Sequence, residues 1–359
     1  MDKHIKLGFW GHVRKHRILI LSIAGVLLIA GVTAAVFLFV YHKPVQVKSP
    51  TVVKTAPPAP AIKYYSPLTG LPVASQAATT APVTAVMIEN SPDARPQSGL
   101  KDSGVVFEAI AEAGITRFMV LYQQEKPALI GPVRSIRIYD AEWVAAFNAS
   151  VAHVGGSMAG LAEIRDGSYR DIDQFFNSAS YYRTSDRYAP HNVYTTSTLL
   201  DALNAKDGYT SSLFTGFSRV DGKPAATSTA STINVTISSD LYNSSYIYDK
   251  TTDTYARSQA GTPHLDRESG QITPNVVIAM HVDESTVLQD GYREQITTIG
   301  SGPATIFQNG IAIDATWHKT AKTSQITFTD TKTGADVPLV RGQTWIAAVP
   351  NNGGAVTWQ

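Results

Sequence analysis

The chain has 359 residues, 43% hydrophobic and only 16% charged, with 30 lysines and arginines against 29 aspartates and glutamates and no cysteine. The missing thiols exclude disulfides, thiolate zinc sites, iron–sulfur clusters and cysteine nucleophiles, and a net charge of +1 removes the electrostatic case for nucleic acid. The charged fraction lies below the roughly 25% of an ordinary soluble domain, and uncharged polar residues fill the gap, as suits a sheet-rich extracytoplasmic surface.

Ile18 to Val40 form 23 residues without a charge, enough as a helix to cross a hydrocarbon core of about 30 Å. A buried core helix would show a polar face, which this run lacks. Lys3, Lys6, Arg14, Lys15 and Arg17 precede it against Asp2 alone. The positive-inside rule therefore predicts a cytoplasmic tail over residues 1–17, a single-pass anchor in the cytoplasmic membrane over 18–40, and extracytoplasmic domains beyond. Thr33, Ala34 and Ala35 are small enough for a cleaved signal, but the apolar run exceeds the roughly 7–15 residues of a signal core. Of the net +1, residues 1–17 supply +4 and the rest −3, so the near-zero total conceals a topology. Residues 41–62 hold Pro44, Pro50, Pro57, Pro58 and Pro60, the composition of an extended stalk.

Two globular domains are predicted next, a mixed α+β domain over 63–222 and a mostly β domain over 223–359, giving an α+β fold class behind the N-terminal transmembrane helix. Val83 to Glu89 reads as a buried strand ending in a polar loop, Asn90 to Pro96. Val105 to Gln123 reads as a hairpin around Glu112-Ala113-Gly114, with Glu108 and Glu112 sharing a face by their spacing. Ser135 can cap a helix that sends Ile138, Trp143, Val144 and Phe147 to the core. Ser150 to Val154 is a short strand, Gly155-Gly156-Ser157 opens a helix to Arg165, and Thr196 or Ser197 caps STLLDALNAK. Beyond Lys223, short apolar runs such as NVVIAM, GPATIFQNGIAID and QTWIAAVP are separated by Gly, Asp and Asn turns, the pattern of a β-rich module.

Several polar strings stand out in this order: PLTGLPV from Pro67, VMIENSPDARPQSGL from Val86, GITRF from Gly114, GPVRS from Gly131, HVGGS from His153, RTSDRYAPHNVY from Arg183, TPHLD from Thr262, GSGPATIF from Gly300 and GQTWI from Gly342. Together they resemble the YerB family of bacterial envelope lipoproteins. The resemblance implies a secreted or surface-tethered protein with two family-specific domains and no established reaction. This chain departs from the lipoprotein pattern in having no cysteine to carry a lipid, so the apolar span would do the anchoring.

Three constellations could carry chemistry. Glu89 and Glu108 with His153 and His191 could serve as acid–base residues of an envelope-polymer hydrolase or transferase; pairing with arginine and core hydrogen bonding are the plainer roles. Gly155, Gly156 and Ser157 could present N–H groups and a hydroxyl to an anion at a helix start, or simply make a turn and a cap. Arg95, Arg117, Arg134, Arg137, Arg183 and Arg187, with Asn90 and Asn192, could bind carboxylate or phosphate through bidentate forks, or pair internally with the acids. No metal-ligand spacing surrounds the histidines, and no cofactor is predicted. The preferred expectation is a binding or scaffolding protein that holds an anionic envelope glycan, peptide or partner protein.

Overall fold

A computed structural model of the chain describes residues 8–41 and 63–359. Residues 42–62 of the predicted stalk and residues 1–7 of the predicted tail lie outside the described residues. Helix α1 (Gly8–Tyr41) contains the whole apolar run. Its Leu21–Tyr41 stretch is long and apolar enough to cross a membrane, and the Thr33 hydroxyl donates within the helix to the Ile29 carbonyl at 2.5 Å.

Residues 62–359 form one compact unit. In chain order it contains β1 (Thr84–Glu89), β2 (Val105–Glu112), β3 (Ile115–Tyr122), α2 (Ile138–Val144), β4 (Ser150–Ala152), α3 (Met158–Ile164), β5 (Arg170–Asp171) and α4 (Ser197–Lys206). There follow β6 (Thr232–Thr236), β7 (Ser244–Asp249), β8 (Thr254–Gln259), β9 (Thr262–Pro263), β10 (Val276–Val282), β11 (Glu284–Val287) and β12 (Arg293–Ile296). After these come β13 (Gly300–Gln308), β14 (Ile311–Lys319), β15 (Thr327–Asp330), β16 (Thr344–Pro350) and β17 (Ala355–Trp358), with two-residue strands such as Val193–Tyr194 in between the named elements of the unit.

A twelve-stranded sheet organises the unit, in the order β15-β14-β13-β10-β16-β2-β3-β1-β4-β5, with the β11–β12 hairpin attached beside β2. Strands from both sides of residue 223, where the sequence places a domain boundary, share this sheet: β16 lies between β10 and β2, parallel to both. Both faces are covered. Met87, Phe107, Met119 and Ile346 pack on one side with Tyr139 and Trp143 of α2 and Ile164 of α3. Val86, Val106, Phe118 and Trp345 pack on the other with Leu200 and Leu203 of α4 and with Ile233, Tyr246 and Tyr255 of a second sheet, ordered β9-β8-β7-β6-β17. A strand buried on two faces reads as a continuous apolar run, which is why β1, β10 and β16 are legible without alternation.

Two local expectations change. Between Ile110 and Glu112 the β2–β3 register shifts through a bulge; the extra residue reverses which face a side chain takes. Glu108 therefore meets the layer of the second sheet while Glu112 turns to the side of α2, and the two do not share a face. Ser135 does not cap α2. Its hydroxyl donates to the Val154 carbonyl, and the α2 cap is Arg137, whose N–H donates to Asp140 at 2.8 Å. The expected caps at Ser157 and Thr196 are present, accepting from Gly160 N–H and Leu199 N–H.

Candidate functional site

Strands β10, β16, β2, β1, β4 and β5 all run in the same sense, with β3 opposed to β2 and β1. Their carboxyl ends form one edge, the position where open sheets of this kind offer crevices to ligands. Most of the sequence-predicted site residues lie along it.

Glu89 ends β1 with its carboxylate 5% exposed. It accepts from Ser91 Oγ at 2.9 Å, faces His191 Nδ1 at 3.0 Å and lies 3.2 Å from Arg134 Nε. The two terminal guanidinium nitrogens of Arg134 and the Nε2 of His191 have no partner among the described residues. His191 comes from a loop that ends in a short strand and is braced by Asn192, whose amide donates to the Thr184 and Arg187 carbonyls. Arg183 donates to Asn192 Oδ1 at 2.7 Å, and Arg187 donates to the Ala94 and Pro96 carbonyls. Phe175, Phe176 and Tyr188 are exposed in flanking segments.

Glu108 lies deeper. It accepts from Arg257 Nη2 at 2.8 Å and from Trp345 Nε1 at 2.9 Å, and the buried Arg257 stacks over the Trp345 ring at 4.4 Å. Burial, and then the charges of Arg257 and Arg95, push His264 well below its ordinary value. It is neutral, so Nδ1 accepts from Arg257 and Nε2–H donates to Gln97 Oε1 at 3.0 Å. The Gln97 amide donates in turn to the Glu89 carbonyl and to Asn90 Oδ1. Asn90, fully buried, donates to Thr116 and accepts from Arg95, which also donates to the Leu241 carbonyl. A continuous polar chain thus links the buried Glu108–Arg257 pair to the Glu89 edge. Sequence reasoning missed Arg257, His264 and Gln97 as site residues; the TPHLD string held His264 and the VMIENSPDARPQSGL string held Gln97, and nothing marked Arg257.

The other candidates are internally engaged. Glu112 accepts from Arg117 at 3.0 Å and from Arg137. Burial would raise its carboxyl, but the two guanidinium groups outweigh that and hold it down at about 2. His153 is fully buried, with Nδ1 at 2.8 Å from the Gly155 carbonyl and Nε2 at 3.0 Å from Asp171. Gly155 takes a positive φ of 57°, and a side chain on Gly156 would strike Ile136 Cγ2 at 2.7 Å, so this pair makes the turn. The start of α3 is taken by the protein's own anion: Asp290 accepts from Met158 N–H at 2.7 Å.

A cavity of about 400 Å³ opens at the ends of β2, β10 and β16, lined by Ile110, Ser238, Glu284, Glu294, Pro350 and Asn352 among others. Burial, then the neighbouring Glu294, raise Glu284 to about 8. No sequence motif pointed to it. Glu89, Glu108, His153 and His191 line neither this cavity nor those of about 270 and 500 Å³ elsewhere.

Comparison with known proteins agrees with this architecture. Residues 68–210 match the N-terminal domain, and residues 233–346 the C-terminal domain, of a protein of unknown function (DUF3048). The chain is 32% identical over 303 residues to a Bacillus subtilis (strain 168) protein described as "Putative lipoprotein YerB", covering 83% of this chain and 90% of that one. The crystal structure of the YerB protein from Bacillus subtilis superposes with a TM-score of 0.73 at 28% identity, over 82% of this chain and 100% of that one. The chain therefore belongs to the YerB-like family of two-domain proteins whose biochemical function is unknown.

Proposed function

We propose that the protein is an extracytoplasmic binding protein anchored by α1 in the cytoplasmic membrane, with residues 1–17 inside, and that the Arg134–His191 face holds an anionic envelope glycan, peptide or partner protein. The basic residues before the apolar run support this orientation. With no cysteine for a lipid, α1 takes the anchoring role that the relative's name gives to a lipoprotein.

One observation carries the binding reading. Glu89 draws Arg134 and His191 to one carboxylate through one nitrogen each, and the guanidinium fork and the far imidazole nitrogen stay unpartnered among the described residues, available to a ligand. A pre-oriented fork suits carboxylate and phosphate, and the flanking exposed Phe175, Phe176 and Tyr188 offer stacking area to a polymer. A hydrolase or transferase built on Glu89, Glu108, His153 and His191 gains no support, because each is engaged by a partner and none of them lines the cavities of about 270, 400 and 500 Å³. The test is retention of the detergent-solubilised full chain on immobilised envelope glycans and on envelope membranes. Salt-sensitive retention that falls in Arg134→Ala is expected; absence of retention, or an Arg134→Ala protein that behaves as wild type, overturns the reading.

A further inference from the structure

The β11–β12 hairpin is rooted at its base, where Ile296 at the end of β12 is buried in the main core, and has few attachments beyond it. β11 pairs only with β12, and β12 meets β2 at one position, Arg293 opposite Glu112. Its tip is held by Asp290, which accepts from Met158 N–H at 2.7 Å. Its base is held where the Asn351 amide donates to Asp283 at 2.7 Å. Between tip and base one face of the hairpin spans the 400 Å³ cavity with Glu284, Thr286 and Glu294. Thr286 and Glu294 are cross-strand partners and Glu284 stands two residues earlier on the same face.

We propose that the β11–β12 hairpin is a proton-latched lid over the cavity at the carboxyl ends of β2, β10 and β16. Glu284 Oε2 is buried without a hydrogen-bond partner, a costly state for an ionised carboxylate and a tolerable one for a carboxylic acid. Glu294 lies on the same face and is occupied by the Thr286 hydroxyl at 3.1 Å. The other elements bring no counter-charge to the cavity: Ile110 and Gly114 come from the β2–β3 hairpin, Ile237 and Ser238 follow β6, and Pro350, Asn352 and Gly353 end β16. Of the flanking charges, Asp283 accepts from Asn351, and Arg293, directly before Glu294 in the chain, donates through Nη1 to the Asp290 and Gly291 carbonyls while its Nε is buried without a partner. Closing the lid over Glu284 takes up a proton, and ionisation beside Glu294 favours the lifted hairpin, which opens the cavity to solutes.

The sign follows from linkage. A carboxyl raised from 4.5 to about 8 on closing leaves the closed form fully favoured below pH 4.5. The open-to-closed ratio then rises by up to about tenfold per pH unit until the closed-state value and is flat above it. The chain has no native cysteine, so spin labels at Gln295→Cys and Asn352→Cys report the span of the cavity in the full chain in detergent micelles. A short distance at acid pH, a growing longer population up to pH 8 and a plateau beyond are expected in the otherwise native chain. Glu284→Gln is expected to stay closed throughout, and Glu294→Gln to move the plateau to lower pH. A distance distribution independent of pH, a Glu284→Gln protein that still opens, or an unmoved plateau in Glu294→Gln overturns the proposal, and the first of these needs no Glu284 or Glu294 variant to fold.

Discussion

Glu89 and Glu108 stand on the two strands that flank β3, and each is paired with an arginine, yet the pairs do different things. The Glu108 and Arg257 side chains are 1% and 0% exposed, and Arg257 is also bonded to Tyr246, Gln259 and His264 and covered by the Trp345 ring. The Arg134 and His191 side chains around Glu89 are 24% and 21% exposed and make one contact to the carboxylate each. A buried ion pair must use nearly every donor it has, or its desolvation goes unmatched. A pair at a strand end can leave donors to spare, and the surplus is what a ligand can use. Counting unspent donors separates the two roles where residue type alone does not.

The largest expected effect lies in the buried pair. Arg257→Leu strands a carboxylate beside Trp345, and we expect urea unfolding to show a loss of about 3–5 kcal/mol, most of it recovered in Glu108→Leu/Arg257→Leu. A loss below about 1 kcal/mol would break the comparison. Next is Glu112, intermediate in exposure, whose depressed carboxyl stabilises the fold above its ordinary 4.5 and loses that contribution as pH falls through about 2. Up to about 3 kcal/mol should disappear over this window in the wild type and not in Glu112→Gln, read from denaturant midpoints at a series of acid pH values. At the open edge the order reverses. Arg134→Ala should change unfolding by no more than about 1 kcal/mol while reducing retention on anionic envelope material about tenfold or more. The smallest change sets the scale: Thr196→Ala removes the α4 cap, far from both carboxylates, and should cost about 1 kcal/mol by thermal or urea unfolding.

What was legible in the sequence followed from local physics. The charge-free run at 18–40, the buried strands of β1, β10 and β16 and the positive-φ turn at Ala113-Gly114 each state their structure within a few residues. The site was legible only in part. Glu89 and His191 meet across 102 residues, and each was conspicuous in a polar string although nothing in the sequence joined the two. Arg257 joins Glu108 across 149 residues and is surrounded in sequence by an ordinary alternating strand, so nothing local marks it as buried. The bulge that separates Glu108 from Glu112 arises from register against β3, which a spacing argument on one strand does not contain. The Glu284 cavity needs three strand ends from distant parts of the chain to exist at all.

The central position of β16 carries a further consequence. This strand, residues 344–350, is the last of the main sheet to be synthesised, and it pairs along its length with β10 on one side and, over residues 344–347, with β2 on the other. Until it emerges, β2 and β10 each present an open, apolar edge and the two halves of the sheet have no shared partner. The fold is therefore closed by a late arrival. A chain delivered N-terminus first stays uncommitted, and in need of protection from edge-to-edge association, until nearly all of it has appeared. That order suits the orientation proposed above, in which these residues pass through a membrane before they become compact.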